Sequence, residues 1–228
     1  MTEAEWLGLE QPFELLDALV ASTEHRPSDR KLILFACALC RSFQLLLPEP
    51  RALEWVEVIE EFADGRTSAR NLASVNRAIR SANAVHQPLP NRAKNAARSA
   101  LGFLSAPSGS YVDSDHGAFW VLDVLDLHGP RQERKAIRRW QEEKVLQIGR
   151  DVFGNPFRPV AFSPPWRTAV VTALADAAYT ERVFDRLPII ADALEDAGCT
   201  DRDILDHCRQ PGVHVRGCWV VDLVLGKN

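Results

Sequence analysis

The stretch Ser28-Asp-Arg-Lys-Leu-Ile-Leu-Phe-Ala-Cys-Ala-Leu-Cys-Arg-Ser-Phe-Gln-Leu-Leu-Leu47 decides the fold. Leu32, Phe35, Ala36, Leu39, Phe43, Leu46 and Leu47 recur at spacings of three and four, which is the period of an α-helix. Ser28 stands where an N-cap belongs, and Pro48 and Pro50 stand where a helix must stop. From Leu32 to Cys40 all nine residues are apolar. The first half of this helix therefore has no polar face, which makes it a central core helix. That run is also the longest of its kind in the chain, and a membrane-spanning helix needs about 20 apolar residues. No membrane contact is expected.

Working outward, the helical period persists. Thr2 and Glu5 form a capping box before a short first helix, and a second runs from Pro12 to about Ala21. Beyond the core helix, residues 51–63 place Trp55, Ile59 and Phe62 on one face, with Gly65 just past the end. The next helix starts at Thr67 and ends near Val85, before the break Gln87-Pro-Leu-Pro-Asn91. Helices are predicted at 91–104, 117–127 and 130–152, with a surface loop over 106–116. Phe153-Gly-Asn-Pro-Phe-Arg-Pro-Val-Ala-Phe-Ser-Pro-Pro-Trp166 is a stiff connection in which Phe153, Phe157, Phe162 and Trp166 seal helix ends or offer a docking surface. Helices should follow at 167–178 and 186–197, and at 201–209 behind a cap formed by Thr200 with Asp203. After Pro211-Gly212 a last apolar segment, Val213–Leu225, reads as helix, although Trp219-Val220-Val221 would also suit a strand. No longer alternation and no internal repeat is visible. The expectation is an all-α fold: a single multi-helix domain over 1–228 of about eight to ten helices, with two packed halves as a variant, divided near 105–116.

Composition narrows the class. The chain has 228 residues, 46% hydrophobic and 25% charged, which excludes global disorder, collagen-like chains and disulfide-dense miniproteins. Its five cysteines follow no framework spacing and read as reduced, buried thiols. The start, Met-Thr-Glu-Ala-Glu-Trp, lacks the positive start and apolar core of a secretory signal. A cytoplasmic protein is expected.

Three stretches carry a resemblance: Ser28 to Arg41 as quoted above, Arg150-Asp-Val-Phe-Gly-Asn-Pro-Phe-Arg-Pro-Val160, and the tail from Asp185 through Val213-His-Val-Arg-Gly-Cys-Trp-Val-Val-Asp-Leu-Val-Leu-Gly-Lys227. Together they resemble a family of helical proteins that occurs in many copies in planctomycete genomes. The likeness covers most of the chain and weakens between about 66 and 130. The family has no established activity, so the resemblance implies a bacterial, cytoplasmic protein and transfers no site residue.

The net charge of −4 hides an uneven layout. Residues 65–112 contain no Asp or Glu and carry Arg66, Arg70, Arg77, Arg80, Arg92, Lys94 and Arg98; the segment is +7 and the rest of the chain −11. At 100° per residue Arg66, Arg70, Arg77 and Arg80 fall on one side of a helix, and Leu72, Val75, Ile79 and Ala82 on the other. Arginine binds carboxylates and phosphates through paired N–H groups, so this stripe is the candidate anion- or partner-binding site. The competing reading is internal neutralisation by the acidic run Glu54, Glu57, Glu60, Glu61 and Asp64.

Other constellations are weaker. Cys37-x2-Cys40 and the tail residues His207, Cys208, His214 and Cys218 include zinc-ligand types, but match no standard finger spacing. Cys37 and Cys40 lie inside an apolar helix, where cysteine is a small core residue. Asp113, Asp115 and His116 sit on the 106–116 loop without a further carboxylate nearby, and His86 falls on the apolar face of its helix. No metal ligand set, cofactor or catalytic residue is assigned. Nucleophile elbows, phosphate loops and H-E-x-x-H are missing, and Glu60-Glu61 and Glu142-Glu143 belong to charged helix faces. The reading is a non-enzymatic helical interaction module that binds an acidic protein surface. Its alternatives are a nucleic-acid-associated protein using the same arginines, and a metal-dependent enzyme or zinc-stabilised domain.

Overall fold

Ser28 Oγ accepts the Lys31 backbone N–H at 3.3 Å and starts the central helix one residue later. The computed structural model describes residues 2–21, 26–43, 51–85 and 131–227. Ten α-helices occur among them: α1 (Glu3–Leu7), α2 (Pro12–Ala21), α3 (Asp29–Ser42), α4 (Ala52–Ala63), α5 (Ala69–Val85), α6 (Arg131–Phe153), α7 (Ala169–Glu181), α8 (Leu187–Asp196), α9 (Arg202–Arg209) and α10 (Trp219–Leu225). Two single 3₁₀ turns, Pro164–Trp166 and Phe184–Arg186, complete the set. There is no strand among the described residues, and the fold is all-α. None of the described helices is long and apolar enough to cross a membrane. The helices expected at 91–104 and 117–127 lie outside the described residues, as do His86, the loop with Asp113, Asp115 and His116, and residues 105–116.

The chain forms two compact units: residues 8–146, and residues 1–7 together with 147–228. In the first, α3 packs on α4 and α4 on α5. Every residue from Ile33 to Cys40 is buried, so α3 is enclosed on all sides for two turns. Burial of each such large side chain contributes about 1.5–3 kcal/mol. The helix ends at Ser42, where the Phe43 N–H returns to the Leu39 and Arg41 carbonyls. Gly65 terminates α4 with φ +69°, the left-handed conformation glycine adopts without a Cβ clash, while the Arg66 N–H bonds back to the Glu61 carbonyl. Ser68 then caps α5 by accepting from Asn71 N–H at 3.3 Å.

The second unit is built on α7, α8, α9 and α10. α7 packs on both α8 and α10, and α9 packs on α8 and α10. Val171, Tyr179, Ile190, Leu194, Ile204 and Val221 lie in its core. Phe162 and Trp166 pack against that core with their rings edge to face at 5.6 Å, so this part of the Pro-rich connection seals the unit. α1 belongs here too. Its capping box is complete, with Thr2 N–H on Glu5 Oε2 at 2.7 Å and Glu5 N–H on Thr2 Oγ1 at 3.3 Å. Trp6 is buried beside Phe157, and Glu3 accepts from Asn155 Nδ2 at 2.8 Å.

Three sequence expectations shift. α5 begins at Ala69 behind Ser68, not at Thr67. Asp201, not Thr200, caps α9, its Oδ1 accepting the Ile204 N–H at 3.2 Å. The tail is helical only from Trp219; Val213–Cys218 crosses as irregular chain, because Pro211 cannot continue α9 and Cys218 takes the non-helical N-cap position of α10.

Candidate functional site

The arginine face divides. Arg66 precedes α5, since Ser68 is the cap, and its guanidinium pairs with Asp64 Oδ2 at 3.0 Å. Arg70 and Arg77 lie on α5, are exposed, and make no ion pair with any described residue, while Leu72, Val75 and Ile79 are buried on the opposite side. The amphipathic geometry read from the sequence is therefore present over this part of the helix. Arg80 and Ala82 belong to the α5 backbone, with side chains outside the described set. Arg92, Lys94 and Arg98 lie outside the described residues.

Glu54, Glu57 and Glu60 of α4, and Asp64 at its C-cap, are engaged elsewhere. Arg41 donates from Nε to Glu60 Oε1 at 2.9 Å and from Nη2 to Glu60 Oε2 at 2.8 Å, and reaches Glu57 Oε2 at 2.5 Å. Burial opposes the charge of Arg41, yet these carboxylates hold it above its usual range. Arg51 pairs with Glu54 at 2.9 Å, and Arg30 joins Arg66 on the buried Asp64 carboxylate at 3.0 Å. Internal neutralisation thus occurs, but the arginines it uses are Arg30, Arg41, Arg51 and Arg66, not Arg70 or Arg77.

A second constellation lies in the other unit. The last turn of α6 supplies Asp151, α9 supplies His207, the irregular crossing supplies His214, and the N-cap of α10 supplies Cys218. Asp151 Oδ1 lies 2.7 Å from His214 Nδ1 and 3.1 Å from His207 Nε2, and its Oδ2 accepts the Val215 N–H at 2.8 Å. His207 Nε2 is also 3.2 Å from Cys218 Sγ, and Trp219 Nε1–H donates to His207 Nδ1 at 3.1 Å. Asp151 is 3% exposed and Cys218 fully buried, which keeps bulk water from this cluster. Burial would raise the Asp151 carboxyl; hydrogen bonds from His207 and His214 override it and hold the group below the usual carboxylate value.

The cluster is not a nucleophilic triad. Burial and the charge of Asp151 push the Cys218 thiol well up, the reverse of what a reactive thiolate needs. In a triad the two ring nitrogens of the histidine face the nucleophile and the carboxylate separately. Here one nitrogen, Nε2, faces both, and Trp219 occupies the other. Cys208 stays outside the four-residue group, its thiol pushed up to about 12 by burial and by Asp151. Cys37 and Cys40 are buried in α3 as core residues, the role expected from their apolar surroundings.

Sequence reasoning named His207, His214 and Cys218 as candidate ligands but not Asp151. A signal existed: Asp151 falls between Ile148 and Val152 on the stripe of α6 that is buried, where a carboxylate needs partners. Comparison with known proteins returns no match to a family model, a curated protein or a solved structure.

Proposed function

We propose that this chain is a non-enzymatic, bacterial, cytoplasmic interaction module that docks an acidic surface of another protein through the outer face of α5. One observation supports the reading above others. Glu54, Glu57, Glu60 and Asp64 are committed to Arg30, Arg41, Arg51 and Arg66, while Arg70 and Arg77 project into solvent from a helix whose other side is buried. A guanidinium offers planar, paired donors that suit carboxylates, and exposed charge of one sign steers encounter with its opposite.

The test is affinity capture with the full chain and with Arg70→Glu/Arg77→Glu, followed by identification of what is retained. The expected result is an acidic protein retained by the parent and lost by the reversed variant at unchanged melting temperature. A partner set that ignores the reversal overturns the reading. A low-salt gel shift on DNA and RNA separates the nucleic-acid alternative, whose affinity would fall steeply with salt; a complex there that the reversal abolishes would replace the protein partner.

A further inference from the structure

The buried cluster belongs to the unit that does not carry the arginine face, and it has chemistry of its own. Asp151, His207, His214 and Cys218 each present a ligand-type atom, and these four atoms all lie within 4.8 Å of one another. We propose that they form a four-ligand site for one divalent transition-metal ion, with zinc the ion that fits. This inference is independent of the docking surface.

The donor set is the first argument. Carboxylate oxygen, two imidazole nitrogens and a thiolate are zinc ligands in any combination of four, whereas calcium and magnesium take oxygen alone. The spacing is the second. Around a tetrahedral zinc with bonds of about 2.0–2.3 Å, neighbouring ligand atoms stand roughly 3.3–3.8 Å apart. The His207–Asp151 and His207–Cys218 separations of 3.1 and 3.2 Å need only a small expansion to reach this, and the 2.7 Å His214–Asp151 contact a larger one.

Charge is the third argument. Asp151 is 3% exposed, and no lysine or arginine pairs with it among the described residues. Its partners are two imidazoles and one amide. Because Trp219 donates to His207 Nδ1, that ring holds a lone pair there and is not the doubly protonated cation. A divalent ion balanced by one carboxylate and one thiolate leaves the buried site neutral. The Val215 N–H secures Oδ2 and leaves Oδ1 to the ion, the outer-shell support that carboxylate ligands receive.

The protons follow from the same geometry. Binding removes the Cys218 thiol proton to solvent. His207 and His214 each give up the proton on the nitrogen that meets the ion and take one up on the nitrogen turned away from it, so the rings stay neutral and the net release is the thiol proton. For His207 that nitrogen is Nδ1, so the Trp219 N–H must give up its present bond. Zinc uptake is thus coupled to proton release and to a change in the surroundings of Trp219.

The test uses the full chain, stripped with a chelator and titrated with zinc and, separately, with cobalt(II). The expected result is uptake of one ion per chain with proton release. The cobalt form should show the visible bands of tetrahedral coordination and a thiolate-to-cobalt charge-transfer band. Cys218→Ser should abolish that band while Cys208→Ser keeps it, and His214→Ala should weaken zinc binding by at least about 10-fold. Far-UV circular dichroism establishes that each variant is folded. The parent titration decides the matter whatever the variants do: a stripped parent that takes up neither ion stoichiometrically overturns the site. Persistence of the charge-transfer band in folded Cys218→Ser overturns it as well.

Discussion

Arg41→Met is the sharpest probe of how the α3–α4 pair is held. Both oxygens of Glu60 accept from Arg41, and the Glu60 side chain is 2% exposed. Methionine keeps the aliphatic stem and removes the guanidinium, leaving a carboxylate enclosed beside α3. Removing one partner of a buried pair costs about 3–5 kcal/mol. Arg41 itself is 26% exposed, so water relieves part of this and the lower figure, about 3 kcal/mol, is expected. Glu57, at 41% exposure, adds little. With about 2–4 °C per kcal/mol for a chain of this size, the melting temperature should fall by roughly 6–12 °C. Glu60→Gln in the Arg41→Met background should recover most of the loss, because the stranded charge is then gone. Thermal unfolding of the parent, both single variants and the double variant, followed by circular dichroism, measures this coupling. A loss below about 1 kcal/mol for Arg41→Met, or strict additivity in the double variant, would refute the claim that Arg41 neutralises a buried Glu60 carboxylate between α3 and α4.

Two further outcomes are expected. Gly154 holds φ +66°, and a Cβ there would stand 3.1 Å from the Trp219 ring, so Gly154→Ala should destabilise by about 1–3 kcal/mol in urea unfolding; a neutral or stabilising effect contradicts the close approach. Hydrogen bonds from Arg209 hold Glu195 below its ordinary carboxyl value of 4.5, so its stabilising contribution is present above that value and is lost as pH falls through the lowered one. Side-chain NMR titration should show Glu195 returning toward the ordinary value in Arg209→Ala, and an unmoved titration counts against the pair.

What the sequence disclosed depended on the range of the interaction. Capping is local, and Thr2, Glu5 and Ser28 announced their helices within four residues. Thr200 and Asp201 are both capping types in adjacent positions, and only the backbone direction into α9 selects Asp201. The apolar tail suggested one helix over Val213–Leu225, because composition does not reveal that His214 and Val215 are drawn out to reach Asp151. The cluster was half legible for the same reason. Three of its members lie within twelve residues of one another, but the carboxylate that gathers them is 63 residues before His214 in the chain. The arginine face was legible in its periodicity, while the direction in which α4 spends its acidic side chains was not.

The attachment of α1 has a consequence for the order in which the chain can acquire structure. Residues 8–146 are one continuous segment, whereas the other unit draws on residues 1–7 and on 147–228. Arg150 reaches the Leu7 carbonyl across 143 positions, and Asn155 reaches Glu3 across 152. Closing a loop that long carries an entropy cost that shorter contacts avoid, and contacts of such separation slow folding. During synthesis the continuous unit can assemble as its residues emerge, while α1, made before it, has to wait until residues 147–157 have followed before Trp6 finds Phe157.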